Sequence, residues 1–536
     1  MRTWLGHLGK TAALCLVPAS FFYIHSQLFP PPAVHAFYGD PDYGYLLNSL
    51  LIVCGLAPAH IDHPGTLLQL LGALVIRLKY FWGHPGGADI VSAVLLAPYE
   101  YLRLISEVMI AILAGAALLF GLGLNRLGYS LLVAMIAQSA PLWLPDAWIY
   151  SVHVSPEILI PVVGFGVAYL LLRIRCLNHC SNKEAAILGA LLGAGLALKM
   201  NMLPLLIFVL VPSERRSRLI AIAAVPCAFV VSTIPIWPRY GALFDWLERI
   251  TTHQATYGTG NAGWFPAVSV LASNFALLIQ ENPAFFYLLI LLPIVAAASH
   301  LKRSSDRRLL VCCWVALIVL FSMVMKQVAT RYLLPSTAVW AVLVPLIMSQ
   351  NRYPGRHVLR AITVLILAAA IFTGGKKMVI SRYSSLQEER QILDFFRELE
   401  PYRDCARIYG AGVPYVEFAL HLGNLAAFET FAGRLQELYP DTIFYENFPE
   451  QFRSFGQGFS RKKVEEIMGR KKCEIVVARP SLAEHSHTLL LGSTVIQLKE
   501  SPLPFQLETI LIRGQLGLYR IAKFNSKWKG VFDEGI

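Results

Sequence analysis

The chain has 536 residues, of which 56% are hydrophobic and only 15% charged, with a mean hydropathy of +0.54. So few charges exclude an ordinary water-soluble globule of this length, because a soluble surface needs more ionisable side chains. The net charge of +12 does not imply a nucleic-acid partner, since the basic residues sit in short loops between apolar runs and read as orientation signals for a membrane protein.

Apolar runs fall at approximately 11–29, 104–124, 129–145, 155–174, 184–198, 201–212, 218–236, 284–300, 308–326, 332–349 and 357–374. A span needs roughly 20 such residues, fewer where neighbours shield its ends. The first run reads as a span, with a signal peptide cleaved near Ala33–Ala36 as the lesser alternative. Directly after it come "YGDPDYGY" (Tyr38–Tyr45) and "HIDHPGT" (His60–Thr66), each followed by an amphipathic run.

Five groups of basic residues set the orientation. They are Arg126; Arg173, Arg175 and Lys183; Arg215, Arg216 and Arg218; Lys302, Arg303, Arg307 and Arg308; and Arg352, Arg356 and Arg360. Placing all five inside requires the stretch from about 184 to 212 to cross twice, turning at "LKMNMLP". Pro204 suits such a break. The result is a polytopic α-helical membrane protein of about eleven spans, N-terminus inside and C-terminus outside. Its transmembrane domain covers 1–375, with outer loops at 30–103 and 237–283. Residues 376–536 mix charged helices with short strands ("ARIYGAG", "CEIVVARP", "TILIRG", "LGLYRIA"), which predicts an extracytoplasmic α/β domain. Cys405 and Cys473 stand at the starts of two of these strands, and parallel pairing would bring them within reach of a disulfide.

The candidate chemistry lies on the expected outer side. Asp40 and Asp42 flank Pro41; one aspartate suffices to cap the next helix, and the pair offers a general base for a hydroxyl. Asp62, between His60 and His63, helps form a turn. A divalent cation there is conceivable but not indicated by the spacing, and no metal or other cofactor is expected. Cys176, His179 and Cys180 fall one ligand short of a structural zinc site. Glu157 opens a span, where the helix dipole favours it; it could equally hold a substrate hydroxyl or orient a basic residue.

Lys199 is the most informative cation. The half-helix 184–198 spans about 22 Å against a hydrocarbon core of about 30 Å, so the bend that carries Lys199 is submerged. An ionisable group at that depth marks a functional site unless it snorkels. Lys326, Arg331 and Arg239 are further outer-face cations, and several around one cavity would make a phosphate clamp. The glycine-rich "HQATYGTGNAGWF", starting at His253, reads as a flexible loop, with a lid over the site as the further alternative.

In this order and sidedness the motifs resemble the GT-C glycosyltransferases, in particular bacterial relatives of protein O-mannosyltransferase and of the aminoarabinose transferase that acts on lipid A. The likeness covers about 30–350. "DPDYGY" is similar to the family's acidic motif, with Asp42 and Tyr45 in matching spacing. Proline stands where the family has its first acid, which leaves both Asp40 and Asp42 open as the base. His63-Pro64-Gly65, Glu157, Lys199 and "RYLLP" from Arg331 match further family positions.

The resemblance implies an inverting transfer of a sugar from a polyprenyl-phosphate donor to a glycan, lipid or protein hydroxyl at the outer face of a bacterial inner membrane. Asp40 or Asp42 would be catalytic. Tyr45, His63 and Glu157 would bind substrate and Lys199 and Arg331 the donor phosphate; the residues' own outer-side placement adds Asp62 and His253 to the first group and Lys326 and Arg239 to the second. A transporter or flippase for a lipid-linked saccharide is the alternative, since it too would use buried cations and a broken helix pair.

Overall fold

In the computed structural model the helices start where local capping chemistry allows it. The structure describes residues 2–28, 39–83, 89–252, 267–281, 304–326, 328–348 and 416–440, together with strands between 406 and 524 and isolated positions elsewhere. The helices are α1 (Arg2–Leu28), α2 (Gly44–Val53), α3 (Thr66–Gly83), α4 (Ile90–Leu96), α5 (Pro98–Arg126), α6 (Leu131–Gln138) and α7 (Pro145–Ile149). There follow α8 (Leu159–Leu177), α9 (Asn182–Leu198), α10 (Arg215–Ser232), α11 (Tyr240–Thr252), α12 (Val268–Glu281), α13 (Ser304–Lys326) and α14 (Ser336–Met348). Asp89 caps α4 by accepting from the Ser92 amide at 3.0 Å. Ser181 and Glu184 form a reciprocal capping box on α9. Asn178, in the left-handed region at φ 51°, ends α8.

Three described helices are long and apolar enough to cross a membrane: Pro98–Arg126, Pro156–Leu177 and Asp306–Lys326. A fourth arises if Arg215–Ser232 and Ile234–Thr252, bent by 80°, form one span. The expectation of about eleven also needs the runs 284–300 and 357–374, which lie largely outside the described residues. Two runs differ from continuous helix. Residues 129–145 break into α6, a 3₁₀ turn (Ala140–Trp143) and α7, because Pro141 and Pro145 remove amide donors. Met200–Leu210 is a 3₁₀ helix with Pro204 inside it. The segment expected as a loop over 237–283 contains α11 and α12.

The chain divides into two compact units. The first comprises Met1–Pro30, Ser49–Ile76 and Arg103–Ser381. In it α9 packs closely on α10: a Cβ on Gly193 would meet Ala228 at 3.0 Å, so the two backbones need glycine there. The backbone turns at Lys199, which is extended (φ −161°, ψ 133°) between α9 and the 3₁₀ helix. Met202 then lies back against α9, within 3.0 Å of where a Gly195 Cβ would stand.

The second unit comprises Pro31–Asn48, Arg77–Leu102 and Arg382–Ile536. It holds α15 (Val416–Ala426), α16 (Ala432–Leu438) and a seven-stranded sheet. The strands are β1 (Ala406–Gly410), β2 (Thr442–Asn447), β3 (Glu450–Ser454), β4 (Gln457–Gly458), β5 (Glu474–Ala478), β8 (Phe505–Arg513) and β9 (Leu516–Phe524), in the order β4-β3-β2-β1-β5-β9-β8. A separate hairpin joins β6 (Thr488–Leu491) to β7 (Thr494–Gln497). Strand β1 runs parallel to both β2 and β5, with Ala406 opposite Glu474. Cys405 and Cys473, one residue before these partners, lie outside the described residues.

Candidate active site

In the first unit three separated segments deliver one cluster of charge. The break after α9 presents Lys199, and the 3₁₀ turn Pro156–Ile158 that opens α8 presents Glu157. Lys199 Nζ donates to Glu157 Oε1, with side chains only 4% and 3% exposed. A buried pair of this kind forms only if each charge compensates the other's lost hydration. Arg331 comes from the 3₁₀ turn Thr330–Leu333, and its Nε lies 3.8 Å from the same carboxylate oxygen. Arg331 keeps 36% of its side chain exposed, so it can still meet a ligand.

Aromatic groups hold these cations in place. The Arg331 guanidinium carbon lies 5.4 Å from the ring centres of both Tyr150 and Tyr332, and Nη1 donates to the Tyr150 hydroxyl at 2.5 Å. Lys199 Nζ lies 5.1 Å from the centre of the Tyr332 ring. Such cation–ring contacts gain strength where water is scarce. The Arg331 turn is anchored by Thr330, whose hydroxyl donates to Asp146 Oδ1 at 2.9 Å. Asn201 Nδ2 donates to the Tyr332 carbonyl at 3.3 Å. Burial holds the Tyr150 hydroxyl protonated, pushing its pKa up against the opposing pull of Arg331.

His63 closes one side. Its ring centre lies 5.1 Å from that of Trp246, edge-on, and 6.1 Å from that of Tyr332. The turn that carries it is seated by Ile61, which packs in a core with Ile236, Leu243 and Trp246 at the α10–α11 bend. His63 sits at φ 57°, a costly conformation for a residue with a side chain, followed by Gly65 at φ 61°. The residue is half-buried, with its ring set against these aromatic neighbours. That burial, with the charges of Lys199, His60 and Arg331, drives its pKa well below the ordinary value of 6.5.

The other predicted cations of this unit are placed differently. Lys326 donates to the Thr251 carbonyl at the end of α11, at 3.0 Å. Arg239 ends the 3₁₀ turn Ile234–Arg239 and is half-buried. Asp62 is also half-buried. Among the described residues no group of three or more His, Cys, Asp or Glu side chains gathers as a metal site. His253 lies outside the described residues.

The acidic motif belongs to the second unit. Gly39–Tyr43 forms a π-helical turn that leads into α2. Within it Asp42 and Tyr43 are buried, as is Tyr45 in the next turn, with Asp42 at 0% exposure. The turn is sheathed by α15: a Cβ on Gly423 would stand 2.8 Å from the Tyr43 carbonyl oxygen, so no other residue fits there without movement. Asn48 Nδ2 ties the two together, donating to the carbonyls of Gly44 at 2.8 Å and Ala426 at 3.0 Å. Burial also pushes the Tyr43 hydroxyl far above its ordinary pKa. The Asp40 side chain lies outside the described residues.

Glu157, Lys199, Arg331 and His63 are thus brought together, while Asp42 and Tyr45 are buried in the other unit. Asp146, Thr330, Tyr150 and Trp246 are additional residues of the first cluster. Only one signal pointed to the Asp146–Tyr150 link: it is a short polar break between two apolar runs, on the expected outer side.

No protein-family model matches the chain, and no curated protein matches it. Among solved structures it is similar to the crystal structure of ArnT from Cupriavidus metallidurans bound to undecaprenyl phosphate. That likeness has a TM-score of 0.49 at 11% sequence identity, over 96% of this chain and 98% of the other. Similarity this distant leaves the chemistry to be argued from the residues themselves.

Proposed function

We propose that the chain is a membrane glycosyltransferase that moves a sugar from a polyprenyl-phosphate donor to a hydroxyl acceptor at the outer face of the membrane, with inversion. One observation carries the reading: two cations, Lys199 and Arg331, converge on the single carboxylate of Glu157. Aromatic rings surround them, and Arg331 stays partly open. A lipid phosphate is the ligand whose charge and amphipathic shape suit such a place. The order of the motifs along the chain supports the same reading.

In this reading Lys199 and Arg331 bind the donor phosphate and stabilise the charge that develops on it as the glycosidic bond breaks. The acceptor oxygen attacks the anomeric carbon from the opposite side. Its proton passes to a carboxylate of the acidic motif, and the electron pair of the broken C–O bond stays on the phosphate oxygen. Asp42 fills the base role only if the sheath over its turn opens; Asp40 is the other choice. Neutral His63 and Tyr150 offer hydrogen bonds to the sugar without adding charge. The N-terminus lies in the cytoplasm of a bacterial cell, the α/β domain outside, and no metal is required.

The test is mass spectrometry of cell-envelope glycans from a strain lacking the chain. Loss of one sugar substituent, restored by the wild-type gene and not by an Arg331→Met variant, is the expected result. An unchanged glycan profile would reject the reading.

A further inference from the structure

We infer that Glu157 acts on the lipid phosphate as a fixed negative charge that disfavours the spent carrier more than the loaded donor. The inference rests on the proposed transfer from a lipid phosphate, and goes beyond it by giving this carboxylate a part in product release. Among the described residues Glu157 is the acid that touches both cations: Lys199 Nζ bonds its Oε1, and Arg331 Nε lies 3.8 Å from the same atom. Any phosphate drawn to these cations must approach that carboxylate. The side chain is 3% exposed, so water screens its charge little.

Transfer changes the charge of the lipid. The donor is a phosphodiester with one negative charge. When the bond from the anomeric carbon to oxygen breaks, its electron pair stays on the phosphate oxygen and the acceptor's proton leaves for the base. The product is a phosphate monoester, whose second ionisation has a pKa near 6, so it carries nearly two charges at about pH 8.

Coulomb repulsion from a fixed charge is proportional to the charge it acts on, so Glu157 costs the monoester twice the free energy it costs the diester. Removal of that repulsion therefore strengthens binding of the monoester by the square of the factor for the diester. Neither Lys199 nor Arg331 alone produces this asymmetry in the direction of release, since each attracts the dianion more strongly. A carboxylate placed between them weakens the grip most once the phosphate has gained its second charge.

The experiment measures binding of two probes, a polyprenyl phosphate and its methyl diester, to the full chain in detergent at pH 8. In Glu157→Gln, diester affinity should rise about fivefold and monoester affinity about twenty-five-fold, the squared factor. Equal gains for the two probes, or a loss for the monoester, would overturn the inference and leave the transfer reading standing. Failure of both probes to bind the wild type would instead sink the transfer reading.

Because Glu157→Gln leaves a buried lysine without its partner, the double variant Glu157→Gln/Lys199→Met gives a second route. It removes one charge of each sign and keeps the net charge of the cluster. Its monoester-to-diester affinity ratio should stay within about threefold of wild type, whatever its absolute affinities, since the ratio follows the net local charge. A ratio shifted about tenfold or more would contradict the charge argument.

Discussion

Lys199→Met deletes one charge and keeps most of the apolar stem, so it tests the cluster at its centre. In wild type the lysine and Glu157 are both nearly inaccessible to water, at 4% and 3% side-chain exposure. Breaking a buried pair from one side typically costs about 3–5 kcal/mol, because the remaining charge is left unpaired. Here Arg331 still lies 3.8 Å from the carboxylate, so the charge is only half abandoned. The lower end applies, about 3 kcal/mol. Glu157→Gln should cost a similar amount, and the double variant, which buries no lone charge, should recover about 2 kcal/mol relative to the sum of the singles. The assay is thermal unfolding of all four proteins in one detergent, read by intrinsic tryptophan fluorescence. Additive losses in the double variant would refute the buried pair, and a Lys199→Met protein as stable as wild type would mean that the lysine reaches the interface instead. Affinity for a methyl polyprenyl phosphodiester should fall at least about tenfold in Lys199→Met, about 1.4 kcal/mol.

Tyr150→Phe removes the hydroxyl that accepts from Arg331 but keeps the ring beneath it. Donor KM should rise at least about tenfold with kcat little changed, the size of one hydrogen bond to a charged group, and an unaltered KM would deny Tyr150 its positioning role. His63 has its pKa depressed by burial and by Lys199, so the folded state binds fewer protons than the unfolded state once pH falls below about 6.5. The stability it supports is therefore complete above that pH and lost as the medium is acidified. Between pH 7.5 and 5.5 wild type should lose about 1 kcal/mol more than His63→Phe, and parallel pH curves would show that the imidazole titrates normally. Of Asp40→Asn and Asp42→Asn, the variant that lacks the general base should lose about 10²–10⁴ in rate while still binding donor; near-wild-type rates in both would place the base elsewhere.

Much of the first cluster was legible because each of its charges contradicts its surroundings. A lysine at the end of a short apolar run, an acid at the start of a span and an arginine on the expected outer side all cost free energy unless they meet. Their partners were not legible. Tyr150 and Trp246 are ordinary aromatics of a membrane protein, and only folding brings the 3₁₀ turn Thr330–Leu333 beside Tyr150 and His63 beside Trp246. The helices α11 and α12 were hidden in a segment too polar and glycine-rich to read as continuous helix. The strands of the α/β unit were visible from their apolar runs, but their order was not, because β1 takes the parallel neighbours β2 and β5 from distant parts of the chain. Burial of Asp42 was equally invisible. It follows from Gly423, almost four hundred residues away, where the absence of a side chain lets α15 close over the turn.

The most direct test of the proposed transfer is to incubate the purified chain with a polyprenyl-phosphate sugar and a cell-envelope acceptor extract. The products to follow are free polyprenyl phosphate and glycosylated acceptor. The account predicts both in equal amounts from wild type, and neither above background from a Lys199→Met/Arg331→Met double variant that remains folded. Movement of intact sugar-lipid across vesicles without release of polyprenyl phosphate would contradict it and identify a flippase instead.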